Sequence, residues 1–342
     1  MANVTFMIGN GFDLQMGLKT RYADFYNQYT EIKPTDNDLI QRFKKSILRD
    51  EAHGWVNWAD FEIGMGKQSK LFCGETPTED FIKCFDDFAV CFNKYLLNES
   101  ARINWDAVDV TICKPFNLSI RSFYTHIASV SRDAVKKRIS HQSTSEAQVN
   151  FLQFNYTDIF DKLLAKSSLS AVLSQLTGIH KYEINKLGVN LHIHGQMNNG
   201  YPAIGVNDES QIENELIRND PRIQKVFVKP KFLDALQTRN VNQPIPRVAA
   251  LNAISESTVI CAFGASIGET DKYWWKKIGE LLISSDRVLI IFDVCGSADD
   301  GVSPLAFLNS EVTTDERRTD ILNRFIRLAD WGEEDIEKTR IK

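Results

Sequence analysis

The stretch LHIHG (191–195) sets two imidazoles two residues apart. On a strand, His192 and His194 would face the same side and make half of a metal site. No HExxH motif, no clustered carboxylates and no third histidine at ligand spacing accompany them. The chemistry that remains is proton transfer by His194, which stands just before Gly195 at the expected strand end. A structural, hydrogen-bonded histidine has the same spacing. A second polar strand end is FNYTDIFDKL (154–163), where Asn155 either caps the following helix or holds a water or a sugar hydroxyl. Thr157 and Asp158 are equally suited to the cap, which leaves Asn155 available for other duties. In AFGASIGETDKYWW (262–275), Gly264 ends a strand, Ser266 lies in a turn of small residues, and Asp271 is either a helix cap or a ligand contact.

A fourth strand end opens the chain. VTFMIGNGFDLQMGL (4–18) runs five strand formers into Gly9-Asn10-Gly11-Phe12. Glycines after a strand let backbone amides approach a phosphate at a helix start. They also occur for steric reasons alone. The dinucleotide fingerprint GxGxxG is incomplete, because Leu14 stands where the third glycine belongs. The next segment, 22–32, reads as helix rather than as a second strand ending in an acid, so an ordinary NAD dehydrogenase is excluded. Asp13, two residues past the turn, either caps the first helical turn or meets a ribose or a developing positive charge.

The elements that must carry these residues are legible from their periodicity. VTFMI (4–8), STVICAFG (257–264) and RVLIIFDV (287–294) are short apolar runs suited to a sheet covered on both faces. QVNFLQFNY (148–156) and GVNLHIHG (188–195) are two further strand candidates. Helical patterns lie between them; in 269–285, Trp274, Ile278, Leu281 and Leu282 share a face. The expected fold is α/β, a doubly wound, mostly parallel Rossmann-like sheet. Residues 36–145 show helical periodicity without a convincing strand, and read as a large helical insertion or cap. Residues 1–35 and 146–342 then form the nucleotide-binding domain. Within the insertion, Phe81, Cys84, Phe85, Phe88, Cys91, Phe92 and Tyr95 draw one helix face. In NWADFE (57–62), Glu62 shares a face with Trp55, Trp58 and Met65, so a carboxylate interrupts an apolar stripe. Such a group needs a core partner or a site to serve. The segment 200–246, with five prolines, reads as a loop-rich excursion near the ligand.

Bulk properties narrow the function classes. The 342 residues carry a net charge of −5, with 43% hydrophobic and 25% charged residues. That balance disfavours nucleic acid as a partner, and a metal-dependent nuclease built on His192 and His194 along with it. VKKRIS (135–140) and VFVKPKF (226–232) read as solvated faces rather than nucleic-acid contacts. None of the six cysteines forms a CxxC pair. No apolar run is long enough to span a bilayer. A soluble, cytoplasmic protein without a membrane contact is expected.

The motifs IGNGFDLQMGLKTRYADF, NWADFE, FNYTDIFDKL, LHIHG and FGASIGETDKYW together resemble the AbiH family of bacteriophage abortive-infection proteins, in order and over nearly the whole chain. Their order also resembles the wider sirtuin-like fold. That resemblance implies an NAD-binding sheet, with Gly9 and Gly11 in the phosphate loop, Asn155 and His194 in catalysis, and Gly264 and Ser266 at the ribose. It places Asp293 on the adenosine side. Two departures stand out: there is no four-cysteine zinc module, and Thr157 occupies the second acidic position of an Asn-x-Asp pattern. Together they argue against protein deacylation. The expectation is NAD+ hydrolysis to ADP-ribose and nicotinamide, with NAD+ as substrate or ligand and no tightly bound cofactor. Asp13, Glu62 or Asp271 would supply negative charge. The alternative is a non-catalytic nucleotide sensor or interaction module. A phage-derived trigger and self-association are further expected partners.

Overall fold

The computed structural model describes residues 2–51, 58–121, 123–126, 129–140, 147–174, 184–197, 203–236, 246–265, 271–285, 287–292 and 325–328. Strand β1 (Ala2–Ile8) leads into the short helix α1 (Gly11–Gln15) and then α2 (Tyr22–Tyr29). Five helices follow: α3 (Asp38–Glu51), α4 (Trp58–Gln68), α5 (Pro77–Ser100), α6 (Val110–Arg121) and α7 (Ser129–Ser140). Strand β2 (Ala147–Gln153), helices α8 (Ile159–Lys166) and α9 (Leu169–Ser174), and strand β3 (Lys186–His192) complete the first half of the sheet. Helices α10 (Glu215–Asn219), α11 (Pro221–Phe227), α12 (Lys229–Leu236) and α13 (Pro246–Ser255) precede β4 (Val259–Phe263). The described chain ends with α14 (Lys272–Ser284), β5 (Val288–Phe292) and β6 (Phe325–Leu328).

All paired strands are parallel, in the order β3-β2-β1-β4-β5-β6. The first strand therefore sits in the middle, and the order reverses between β1 and β4. That is the doubly wound, Rossmann-like arrangement, in which ligands bind beyond the strands' carboxyl ends. β1 is buried along its whole length, as its continuous apolar run requires. Alternate residues feed opposite faces. Phe6, Ile8, Phe151, Cys261 and Phe263 pack with α6 to α9, where Phe116, Ile120, Val135, Phe160 and Leu173 are buried. Met7, Leu152, Ile260, Ala262 and Leu289 pack instead on α13 and α14, through Ala250, Ile254, Trp275 and Ile278.

A third core lies apart from the sheet and is rich in aromatic side chains. Tyr22, Phe25, Phe61, Phe81, Phe88 and Phe92 belong to it, with Ile204, Ile217, Ile223 and Phe227 from the later chain. The phenylalanine face of α5 thus packs as its spacing predicts, with Cys84 buried among these rings. The segment 200–246 departs from expectation. Its prolines at 221, 230 and 246 lie in the first turns of α11, α12 and α13 rather than in loops. Proline suits a first turn, since the amide it lacks has no partner there. The side chains of Asn214 and Asp220 cap α10 and α11.

Candidate functional site

The glycine turn is explained by a crossing of two chain segments. A Cβ on Gly9 would lie 2.4 Å from Ala265 Cα and from Gly264 O, and one on Gly11 would lie 2.4 Å from Gly264 Cα. The Gly9 amide donates to Phe263 O (2.9 Å), and that of Gly11 to Gly264 O (2.8 Å). Gly264 itself has φ of +60°, where a side chain is strained. These two amides are therefore engaged within the fold, and β1 and β4 end locked together. Asn10 is tied to Thr20, whose hydroxyl donates to Asn10 Oδ1 at 2.6 Å. Phe12 is a core residue, packed edge-on to Phe160 and Phe263.

That lock delivers Asp13 to the end of β2. Asp13 is wholly buried. It accepts from Asn155 Nδ2 at 3.1 Å and from the Thr157 hydroxyl at 2.6 Å. Burial raises its carboxyl from 3.8 to about 7, against the lowering effect of these two hydrogen bonds. An acid is thus present beside position 157 after all, supplied by α1 rather than by the Asn-x-Thr segment. Asn155 Oδ1 is buried and has no hydrogen-bond partner among the described residues. Neither Asn155 nor Asp13 caps a helix through its side chain: Asp158 holds the cap position of α8, and Asn10 that of α1.

A second group of charges lies across Tyr156. The His194 ring packs against Phe154 and Tyr156, and Nδ1 faces Phe154 O at 3.1 Å. Its Nε2 is 2.9 Å from Asp271 Oδ1, a close ion-pair contact without the alignment of a hydrogen bond. Asp271 also lies 3.6 Å from Lys229 Nζ, which bonds to Glu62 Oε2 at 2.7 Å. Glu62 Oε1 accepts from the hydroxyls of Tyr22 (3.5 Å) and Tyr156 (3.3 Å) and from the Gly205 amide (3.2 Å). All four charged groups are buried. Burial favours the neutral acid at Asp271, but Lys229 and His194 outweigh it and hold the carboxyl down at about 2. At Glu62 burial prevails over Lys229, and the carboxyl is raised. Lys229 is itself raised: desolvation opposes its charge, and the two carboxylates overcome that. A small pocket borders this group, lined by His194, Asn207, Lys229, Pro230, Asp271, Tyr273 and Trp274.

His194 and Asp271 thus belong to one network with Glu62, while Asn155 and Asp13 form a neighbouring one. The two meet at the consecutive residues Asn155 and Tyr156. His192 does not share a site with His194. β3 ends at His192, so same-face alternation does not extend to His194, and His192 bonds instead to Asp161 (2.8 Å). Among the described residues no cluster of three or more His, Cys, Asp or Glu is placed to hold a metal ion. Ser266 and Asp293 lie outside the described residues. Lys229 was missed: its cluster, 226–232, reads as a solvated face, yet its amine is buried between two carboxylates. The three apolar residues before it, Val226, Phe227 and Val228, are the one local sign of burial.

Residues 5–293 match a family model described as bacteriophage abortive infection AbiH. A search of curated proteins finds no match to the sequence. No helix among the described residues is long and apolar enough to cross a membrane.

Proposed function

The chain belongs to the AbiH family of bacteriophage abortive-infection proteins, and we propose that it serves phage defence by hydrolysing NAD+ to ADP-ribose and nicotinamide. One observation carries this reading. A buried carboxyl poised near neutral pH sits at the joined ends of β1 and β2, beside an asparagine oxygen with no partner. In the reaction the glycosidic C–N bond breaks, and its electron pair moves to the ring nitrogen, so nicotinamide leaves neutral. Water then bonds to the anomeric carbon and gives up a proton. A base that titrates near the working pH suits that last step. Asp13 is the proton acceptor in this scheme, and Asn155 Oδ1 holds the water.

The oxocarbenium-like transition state is cationic, so a nearby ionised carboxylate stabilises it. Asp271, held ionised by Lys229 and His194, is that group, and His194 contacts the sugar. Glu62 is assigned a supporting part, because Lys229 already neutralises it. Helix α4, within the helical stretch 36–145, carries Glu62 into this network. Purified protein incubated with NAD+ should release nicotinamide, followed by chromatography. Substitutions Asp13→Asn, Asn155→Ala and His194→Ala should each abolish release. Release that persists in all three refutes this assignment of roles.

A second reading, a nucleotide sensor without turnover, has its own support. The Gly9 and Gly11 amides are committed to backbone acceptors. Lys229 and Glu62 pair as a structural ion pair would. A rise in melting temperature with NAD+ or ADP-ribose, and no nicotinamide release, would favour the sensor.

A further inference from the structure

A larger cavity lies in the helical stretch, between one face of α3 and the segment that joins α4 to α5. Its volume is about 740 Å³, within the span of roughly 300–1,000 Å³ that small-molecule sites occupy. Leu39, Phe43 and Ser46 line it and are spaced by four and then three residues, so α3 turns one face towards it. Leu71 and Phe72 line it from the segment that follows α4. The rings of Phe43 and Phe72 are buried, with centroids 6.3 Å apart, and they tie the two sides together. Leu71 is 55% exposed and Leu39 is half-buried. The apolar lining is therefore open to solvent, and a molecule can reach it without the fold having to part.

Charge marks the same cavity. Arg42 and Lys45 are exposed and also line it. They stand three residues apart on α3, which makes them neighbours on the helix surface. Arg42 spends its Nε on Asp38 O at 3.3 Å, which leaves its two terminal nitrogens. Among the described residues, neither cation has a carboxylate within ion-pair distance. Asp80, the carboxylate in the lining, lies 3.6 Å from Lys83. The Ser46 hydroxyl is committed to Phe43 O at 2.6 Å. The chain as a whole carries a charge of −5, so these two cations are a local feature rather than part of a general excess of base. A solvated cation alone needs no partner. Beside an open apolar wall, the pair offers two gains to one molecule: burial of its body, and charge-assisted hydrogen bonds to its head.

We propose that this cavity binds a small amphipathic anion, whose apolar body lies against Leu39, Phe43, Leu71 and Phe72 and whose anionic head is held by Arg42 and Lys45. The planar guanidinium suits two oxygens of a carboxylate, sulfonate or phosphate, and the lysine adds a point charge beside it. None of these residues belongs to the groups around Asp13 or Glu62, so the inference stands apart from NAD+ hydrolysis.

The test is fluorescence titration of the full chain with two probes that share an aromatic body. Anilinonaphthalene sulfonate carries one anionic group; phenylnaphthylamine is the same body without it. The sulfonate should saturate at one molecule per chain and bind on the order of tenfold more tightly than the neutral probe. Replacing both cations, Arg42→Gln with Lys45→Gln, should remove that preference and leave the neutral probe's affinity unchanged. Both positions are exposed, and an unchanged melting temperature will show that the fold is retained. Gly74 marks the location. It lines the cavity, and a Cβ there would meet only Asp80 Oδ2, at 3.9 Å. Gly74→Leu is therefore accommodated, takes up space in the cavity, and should weaken both probes. Equal affinity for the two probes in the unsubstituted chain, or a preference that survives loss of both cations, overturns the proposal. So does binding of both probes that Gly74→Leu leaves unaltered, or uptake of the sulfonate without saturation.

Discussion

Replacing Asp13 with asparagine should change how stability depends on pH, and in a defined direction. The carboxyl is raised from 3.8 to about 7 in the folded chain. Between those values the folded state holds a proton that the unfolded state has released. Unfolding therefore becomes easier as pH rises through that window, and the loss is complete above pH 7. At roughly 1.4 kcal/mol for each tenfold change in proton affinity, the full loss is at most about 4 kcal/mol. About 2 kcal/mol of it falls between pH 5 and pH 7. Asparagine has the shape of the neutral acid and does not titrate. Its amide can donate to the unpartnered Asn155 oxygen once that side chain turns over. The measurement is urea unfolding of both proteins from pH 5 to pH 8.5. Every other titrating group cancels in the difference between them. The Asp13→Asn protein should gain stability relative to the unsubstituted one up to about pH 7, then hold that gain constant. A difference that stays level from pH 5 to pH 8.5 would refute a buried carboxyl titrating near neutrality.

Three further outcomes follow from the same contacts. Lys229→Met leaves Glu62 and Asp271 buried without their cation, and should cost roughly 3–5 kcal/mol in urea unfolding at pH 7; a loss under about 1 kcal/mol would mean that the pair is solvated. Gly9→Ala forces a methyl group to within 2.4 Å of Ala265 Cα and Gly264 O. Overpacking of this kind costs about 1–3 kcal/mol, and the fall in melting temperature should be present without any nucleotide. Asn155→Asp sets a second carboxyl where the amide now lies 3.1 Å from Asp13. Two acids that close cannot both ionise, so this protein should lose more stability from pH 5 to pH 8 than the unsubstituted chain does; parallel pH profiles would count against that proximity.

β1, β4 and β5 formed as expected because each is a short, mostly apolar run buried within the sheet, and such burial is written in composition over a few residues; β3, at the sheet's edge, is only half-buried. β4 and β5 lie inside the predicted runs, β1 begins two residues before its own, and β2 and β3 overlap theirs. The prolines of 200–246 misled, because a proline in a first helical turn and a proline in a loop look alike until the cap before it is known. β6 had no anticipating pattern in its four residues, FIRL.

In the site, the types of residue were legible and the partners were not. The demand for glycine at 9 and 11 shows in the sequence, but the backbone that imposes it belongs to residues 264 and 265. Glu62 stands out as a carboxylate in an apolar stripe, yet its cation is Lys229, far along the chain. Asp13 and Thr157 lie in separate motifs and meet only because β1 and β2 are neighbours in the sheet. Hydrophobic periodicity is local, so the sequence by itself determined the sheet and the strand ends that carry the polar residues. Pairing, desolvation and the resulting shifts in proton affinity depend on which distant elements close over a group. Those were decided by the tertiary structure alone.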